Sequence, residues 1–520
     1  MCAQTFEEMV RDLNGDTARG PRRAGFNGGS VGRELDAFLR DTNPWWSGRP
    51  GRPLPPFRRW LFPHALQRLK SGLAPVTVIR GPRQVGKTTL QEQLISCLLR
   101  EEGVEPNRVF RVQFDEIPSL RGLREPVLQL CRWFEAQILG RTFNEAATAG
   151  KPAFLFFDEV QNLDDWAPQV KALVDHHAVR VLLTGSSALR IELGRDSLAG
   201  RITTLELGTL LLREIALLRK WGEIPSLVAD NGWGALATAD FWRALRDLGW
   251  RYREVRNAAF AAFSERGGYP VAHAAADRPW AEVAEHLNET VIRRVILHDL
   301  RLGQRGRKRD RHLLEELFRL CCRYAGQAPR IALLAQELRA ALSADVGAQR
   351  IASYLRFLHD TLLLRLIPPM ELRLKRRKGQ PKICLCDHAL RAAWLHEEIP
   401  LDPSELEKAP HLADLAGHLA ESVAGYFLGT LPGLTVDWFP ERGLEPEVDF
   451  VLTIGSCRVP VEIKYRQHID ERRDTLGLRA FLEKSVYNAI FGILVTPTDP
   501  PPVSDPRIVA LPLSSLLLIR

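Results

Sequence analysis

The spacing of apolar positions changes character several times along the 520-residue chain. Up to about residue 55 there is no sustained period. Gly, Arg and Pro crowd 19–23 and 48–56, and the segment reads as a loosely ordered arm. Trp45, Trp46 and the triplet Trp60-Leu61-Phe62 are placed to dock its end on the next domain. From about 70 to 215, short β-branched or aromatic runs (76–80, 108–114, 153–157, 180–187, 202–207) alternate with amphipathic stretches (90–99, 126–138, 165–177). That alternation predicts an α/β layer around a parallel sheet.

Residues 216–300 carry a helical pattern and the tryptophans Trp221, Trp233, Trp242, Trp250 and Trp280, which read as packing residues rather than a base-stacking platform. Gly267-Gly268-Tyr269-Pro270 predicts a sharp turn. Further on, 331–342 reads as a helix, and Ile351, Tyr354, Leu355, Leu358 and Leu362 mark the buried face of the next. The basic run 372–379, closing on 381–385, adds a hairpin, and the whole spells a winged-helix unit. Such units join proteins as well as bind DNA. The basic hairpin, with six Arg or Lys in 301–311, tips the reading towards nucleic acid. The last 110 residues predict a helix at 412–428, strands at 436–439 and 446–452, a turn at Gly455, and a strand at 458–465.

Composition changes this picture little. A net charge of +8 and a pI of about 9.1 allow a polyanionic partner without requiring one. The eight cysteines lie mostly in apolar runs, and Cys321-Cys322 and Cys384-x-Cys386 lack the second half of a zinc pattern. They read as core thiols of a cytoplasmic protein. The first 15 residues have no apolar core, and no run reaches membrane-spanning length, so neither a signal peptide nor a membrane partner is expected.

The chemistry concentrates in two places. The run 76–80 ends at Gly81, and Pro82, Arg83, Gln84, Val85, Gly86, Lys87, Thr88 and Thr89 follow. Strand, G-x-x-x-x-G-K-T and helix together predict a phosphate-binding loop for ATP. Its backbone N–H groups would face phosphates, Lys87 would reach the β/γ-phosphates, and Thr88 would hold Mg²⁺. The run 153–157 leads into Asp158 and Glu159, as expected of a strand lying beside the P-loop strand. Asp158 would fix the metal, and Glu159 would orient and deprotonate the attacking water. Ser186, with Thr184 second, stands where a side chain can sense the γ-phosphate, although a hydroxyl-rich turn explains both. Arg201, with Arg195 as alternative, precedes 202–207 and can act in trans on a neighbouring subunit's nucleotide, or be a surface arginine.

The second place is near the end. Glu421 falls on the helix 412–428, Asp449 on the next-to-last predicted strand, and Glu462 and Lys464 alternate onto one face of the following one. Glu421, Asp449 and Glu462 offer hard oxygen ligands for Mg²⁺ or Mn²⁺, and Lys464 can position water or neutralise charge on a phosphodiester. This order of residues is the restriction-endonuclease core signature; a salt-bridged sheet edge is the plainer alternative.

With GPRQVGKTT, FLFFDEVQ, LLTGSSALRI, SLAGR and RGGYP, and with GHLAESVAGYFL, EVDFVL and VPVEIKY near the end, the chain resembles a family of prokaryotic AAA-type ATPases. In that family a C-terminal domain of unknown function has a restriction-endonuclease-like fold. The resemblance spans about 57–500. It implies an α/β protein with an AAA+/ASCE P-loop ATPase core, a helical and winged-helix middle and a PD-(D/E)xK nuclease-like end. The expected domains are an arm (1–55), the ATPase core (56–215), a helical lid (216–310), a winged-helix-like unit (311–400) and the nuclease-like domain (401–520). The expected activity is ATP hydrolysis in a homo-oligomeric, hexameric ring that moves or gates DNA relative to metal-dependent nuclease sites. Alternatives are an ATP-dependent switch or a DNA translocase whose last domain only binds DNA or protein; strand-separation motifs of helicases are not evident.

Overall fold

The computed structural model describes residues 32–116, 120, 123–163, 165–185, 198–228, 232–297, 310–371, 379–441, 443 and 445–520. Ser186 and Arg195, the basic residues 301–309 and most of the run 372–379 lie outside these.

The first sheet contains β1 (Val76–Arg80), β2 (Val109–Gln113), β3 (Phe154–Asp158), β4 (Arg180–Gly185) and β5 (Ile202–Glu206) in the order β2-β3-β4-β1-β5. All neighbours are parallel. Alternate residues enter two cores: Val76, Val78, Leu155, Phe157, Val181 and Leu183 on one side, Ile79, Phe154, Phe156 and Leu182 on the other. That double burial is why these strands read as near-continuous apolar runs. The expectation that the Asp158 strand lies beside the P-loop strand is corrected, because β4 is inserted between β3 and β1. An apolar run reports burial and direction but not which parallel neighbour it pairs with.

The arm is ordered near its end. Helix Arg33–Thr42 buries Leu39, and Asn43 brackets Arg111 by accepting from its N–H at 2.7 Å and donating to its carbonyl at 2.9 Å. The indole N–H groups of Trp45 and Trp46 both donate to Val109 O. The segment thereby covers β2, the edge of the sheet, where unpaired backbone would otherwise be exposed.

The middle is helical. Of its tryptophans, Trp242 is fully buried, whereas Trp221 and Trp250 are exposed beneath the guanidinium groups of Arg219 and Arg253. The predicted turn is present: the Gly268 N–H donates to Asp387 at 2.6 Å, and a Cβ on Gly267 would meet the same carboxylate at 2.1 Å. Helices Arg311–Arg323, Ile331–Leu342 and Ala348–Asp360 then lead to an antiparallel hairpin of β6 (Leu364–Ile367) and β7 (Lys382–Leu385).

The last domain packs helix Ala413–Gly429 on a second five-stranded sheet. Strands β8 (Thr435–Phe439), β9 (Val448–Ile454) and β10 (Cys457–Ile463) are antiparallel; β11 (Gly492–Thr496) and β12 (Ile508–Pro512) continue in parallel. Helix Leu476–Leu482 lies in the crossover from β10 to β11. Gly425 lets the long helix approach the hairpin, since a Cβ there would lie 2.5 Å from Cys384 Sγ. The described cysteines are all free, and all but the half-buried Cys457 are buried. No helix among the described residues is long and apolar enough to cross a membrane.

Candidate functional site

β1 runs straight into the loop 81–86, and two glycines fix its course. A Cβ on Gly81 would lie 2.1 Å from Leu207 O, and Gly86 has φ +91°. With side chains excluded at these points, the loop backbone curls around a cradle suited to phosphate. Gln84 takes a left-handed φ of 62°, and the carbonyl of buried Val85 accepts from Arg59 at 2.6 Å. Pro82 and Arg83 belong to the same loop, which opens helix Lys87–Arg100, whose first turn includes Thr89. Lys87 is buried, and its ammonium donates to the carbonyls of Gly81 (2.9 Å) and Pro82 (2.7 Å).

Asp158 ends β3 with only 1% exposure, and two hydroxyls hold it. Thr88 Oγ1 lies 2.8 Å from one carboxylate oxygen, and Thr184, ending the inserted strand β4, donates to the other. Gln91 Nε2 donates to Thr184 at 3.3 Å, and Gln91 Oε1 accepts from Arg111 at 3.1 Å. Glu159 turns away from the strand with φ 52° and ψ 35°; its N–H donates to Thr184 O at 2.9 Å, and its carboxylate accepts from Gln161. Thus Lys87, Thr88, Asp158, Glu159 and Thr184 gather at one end of the sheet. A hydroxyl and a buried carboxylate beside a phosphate cradle fit Mg²⁺ and ATP: Thr88 and Asp158 would hold the metal, and the loop and Lys87 the phosphates.

Arg201 stands elsewhere. It precedes β5 at the end of the sheet where β1 begins, since Ile202 pairs with Val76. Its guanidinium binds Asp175 in its own chain, with one N–O distance of 3.2 Å, and it remains about one-third exposed. It cannot reach the P-loop of its own chain.

Sequence reasoning missed Arg59, Gln91 and Glu214, for which no motif signals. Arg59 is buried, pairs with Glu214 at 3.0 Å, and donates to Gly208 and Thr209 as well as to the P-loop, so it clamps the loop from behind.

The C-terminal residues converge too. Asp449 on β9 accepts from the Ile463 N–H at 2.9 Å, and Lys464 pairs with Glu462. Glu421, from the long helix, is brought to the same place by Lys382. This lysine opens β7 with 3% of its side chain exposed, and no sequence motif marks it as a site residue. Its ammonium lies 2.9 Å from Glu421, 2.9 Å from Asp449 and 3.1 Å from Glu447. Burial opposes its charge, but the three carboxylates outweigh that and hold it well above its ordinary value. Burial also works against Asp449, whose carboxyl is nevertheless kept below the usual range by Lys382, Lys464 and the Ile463 amide. Glu462 is pushed up to about 8 by burial and by Asp449, and its Oε2 is buried without a hydrogen-bond partner. The oxygen donors are those of a hard-metal site, yet an ammonium stands among them. Among the described residues no group of three or more acids, histidines or cysteines is arranged to hold a metal ion. In this conformation the site does not fit a divalent cation.

Comparison with known proteins agrees with the first site. Residues 74–216 match the model of a family described as an AAA domain, and 257–399 match a domain of unknown function, DUF8612. Residues 74–216 are therefore an AAA-type ATPase domain, a class that uses ATP and Mg²⁺. The second match ends shortly after the β6–β7 hairpin, and neither reaches the acids of the last domain. The chain is 26% identical over 408 residues to Rv2008c of Mycobacterium tuberculosis and to Mb2031c of Mycobacterium bovis, both described as uncharacterized; the match spans 77% of this chain and 73% of each relative. Among solved structures it is similar to the Aeropyrum pernix ORC1 protein in complex with DNA (13% identity, TM-score 0.24, 64% of this chain and 90% of that one). It is also similar to the Saccharomyces cerevisiae Hsp104–ADP complex (14% identity, TM-score 0.26, 59% and 40%).

Proposed function

We propose that the protein is an ATP-hydrolysing enzyme whose nucleotide cycle moves or gates DNA relative to a metal-dependent, nuclease-like C-terminal domain. The observation that carries the ATPase half is the cluster of Thr88, Thr184 and Glu159 around Asp158 at the mouth of the P-loop. Bound ATP supplies a γ-phosphate open to attack by water. Lys87 and the loop amides neutralise its charge, Glu159 takes a proton from the water, and Thr184 keeps Asp158 aimed at Thr88. Arg201 is offered to the nucleotide of a neighbouring copy, in keeping with a hexameric ring. Phosphate release by wild type, Lys87→Ala and Glu159→Gln tests this. Lys87→Ala is expected to lose ATP binding, and Glu159→Gln to bind ATP with turnover lowered at least ~100-fold. A Glu159→Gln protein with wild-type turnover would remove the assigned base.

The nuclease half rests on a helix over a sheet that is antiparallel at β8-β9-β10 and parallel beyond, with Glu421, Asp449, Glu462 and Lys464 converging upon it. The three helices and hairpin of 311–385 are read as a winged-helix unit presenting DNA. A second reading is favoured by Lys382, whose place among the acids suits an ATP-dependent switch whose last domain binds DNA or protein without cutting. Cleavage of linear, circular and single-stranded DNA with Mn²⁺, comparing wild type with Lys464→Ala, separates the two. Cutting lost in Lys464→Ala supports the nuclease; ATP hydrolysis without cutting on any substrate supports the switch.

A further inference from the structure

We propose that Lys382 is a built-in counter-cation that keeps the C-terminal carboxylates closed to a divalent metal, and that the β6–β7 hairpin carrying it links those carboxylates to the nucleotide site. This rests on reading Glu421 and Asp449 as metal ligands.

A lysine ammonium and a divalent metal ion compete for the same oxygens. Here the ammonium holds them, bonding Glu421 and Asp449 at 2.9 Å each and Glu447 at 3.1 Å, from a side chain 3% exposed. Clustered buried carboxylates repel one another unless a cation lies among them, so the lysine satisfies the same electrostatic need as the metal. The occupancy is conditional, because the lysine comes from another part of the fold. It lies 39 residues before Glu421 and 67 before Asp449, on a two-stranded hairpin that meets the second sheet where Pro368 and Met370, just after β6, hydrogen-bond Trp438 of β8. The hairpin also bonds the long helix, where the Leu385 N–H donates to Ser422 Oγ at 2.9 Å beside Glu421, so a shift of the hairpin against β9 carries Glu421 with it and withdraws the cation from Asp449 and Glu447.

The same hairpin touches the ATPase sheet. Lys382 pairs with Ile367 across it, and Arg365, two residues before Ile367 on β6, pairs with Cys384. The Arg365 guanidinium binds Glu206, the last residue of β5. The other oxygen of Glu206 binds Arg80 at 3.1 Å, and Arg80 is the last residue of β1, immediately before Gly81. All three side chains are at most one-fifth exposed, so water screens the pairs little. A chain of charges therefore runs from the root of the P-loop through Glu206 and Arg365 to the hairpin whose other strand begins with Lys382. A shift of the P-loop strand against β5 disturbs Glu206, and with it the seat of the hairpin.

Three measurements on the full chain test this. Mn²⁺ binding without nucleotide, read from the manganese EPR signal, is expected to be at least about tenfold tighter in Lys382→Gln than in wild type and to return to the wild-type level in Lys382→Gln/Asp449→Asn. Equal binding by wild type and folded Lys382→Gln overturns the proposal. Removing the lysine can unfold the site, so the native lysine is also read directly through acylation of its amine, mapped by mass spectrometry. In Glu159→Gln, ATP is expected to raise the labelling of Lys382 by about tenfold or more, and Arg365→Gln added to that protein to abolish the rise. Labelling unchanged by ATP overturns the link to the nucleotide. Finally, DNA cleavage is assayed in the same proteins. Tight Mn²⁺ binding by Lys382→Gln without cutting upholds the counter-cation while removing the nuclease reading. Mn²⁺ binding and cutting by nucleotide-free wild type at the level of Lys382→Gln do the reverse.

Discussion

At the residue scale, Thr184 shows how a single residue can tie together the groups at the end of a sheet. It donates to buried Asp158, accepts from Gln91, and its carbonyl accepts the N–H of Glu159. Thr184→Val keeps the shape and the carbonyl but removes the bond to a buried, charged carboxylate. The expected loss is about 1–3 kcal/mol of stability, read by chemical denaturation, together with a fall in ATPase kcat. Unchanged kcat would reduce Thr184 to a packing residue. The P-loop and the Asp158-Glu159 pair are legible in the sequence because each is a contiguous string with its chemistry in fixed order. Thr184 ranks behind Ser186 on sequence alone, since a hydroxyl at a strand tip does not announce which carboxylate it faces. Lys382 falls within the predicted hairpin without a role, because a lysine opening a short strand looks like any solvated charge.

At the scale of elements, the turn 267–270 and the helix Pro270–Ala274 after it carry a pH dependence. His273 is 3% exposed; its Nε2–H donates to Gly267 O at 2.7 Å, and its Nδ1 is buried without a partner. A proton on Nδ1 would be buried unpaired, and burial accordingly lowers the pKa of His273 from 6.5 to about 4. Above pH 6.5 the folded and unfolded chains are both neutral here. Between about 6.5 and 4 only the unfolded chain takes up the proton, so stability falls as the pH falls, by ~3 kcal/mol in all. Denaturant midpoints measured from pH 8 to pH 4 should show this slope, and His273→Gln should flatten it. An equal slope in the variant would place the acid sensitivity elsewhere.

For the whole molecule, the last domain is tied to the helical middle by a buried charge. Arg256, on the helix Arg253–Arg266, is 1% exposed and binds both oxygens of Asp499 (2.9 and 2.6 Å) and Ser515 Oγ (2.9 Å). Arg256→Ala leaves Asp499 unpaired at a partly buried junction. The expected cost is about 3–5 kcal/mol, with a calorimetric transition that broadens or splits as the domains lose their common core. A single sharp transition at the wild-type temperature would mean that apolar packing alone holds the junction.

The sequence by itself determined the five strands of the first sheet, the helices read at 90–99, 126–138 and 165–177, the phosphate loop with its Asp-Glu partner, and the identity of Glu421, Asp449, Glu462 and Lys464. Each of these is written in local period or local spacing, which the backbone obeys wherever the segment is placed. Tertiary structure alone decided that β4 lies between β3 and β1, that Arg201 faces away from its own nucleotide site, and that Lys382 fills the carboxylate cluster. Those facts depend on which distant segments share one buried volume. Strand order is settled by the packing of whole helices on a sheet, and the seat of a buried charge by the sum of fields from residues far apart in the chain.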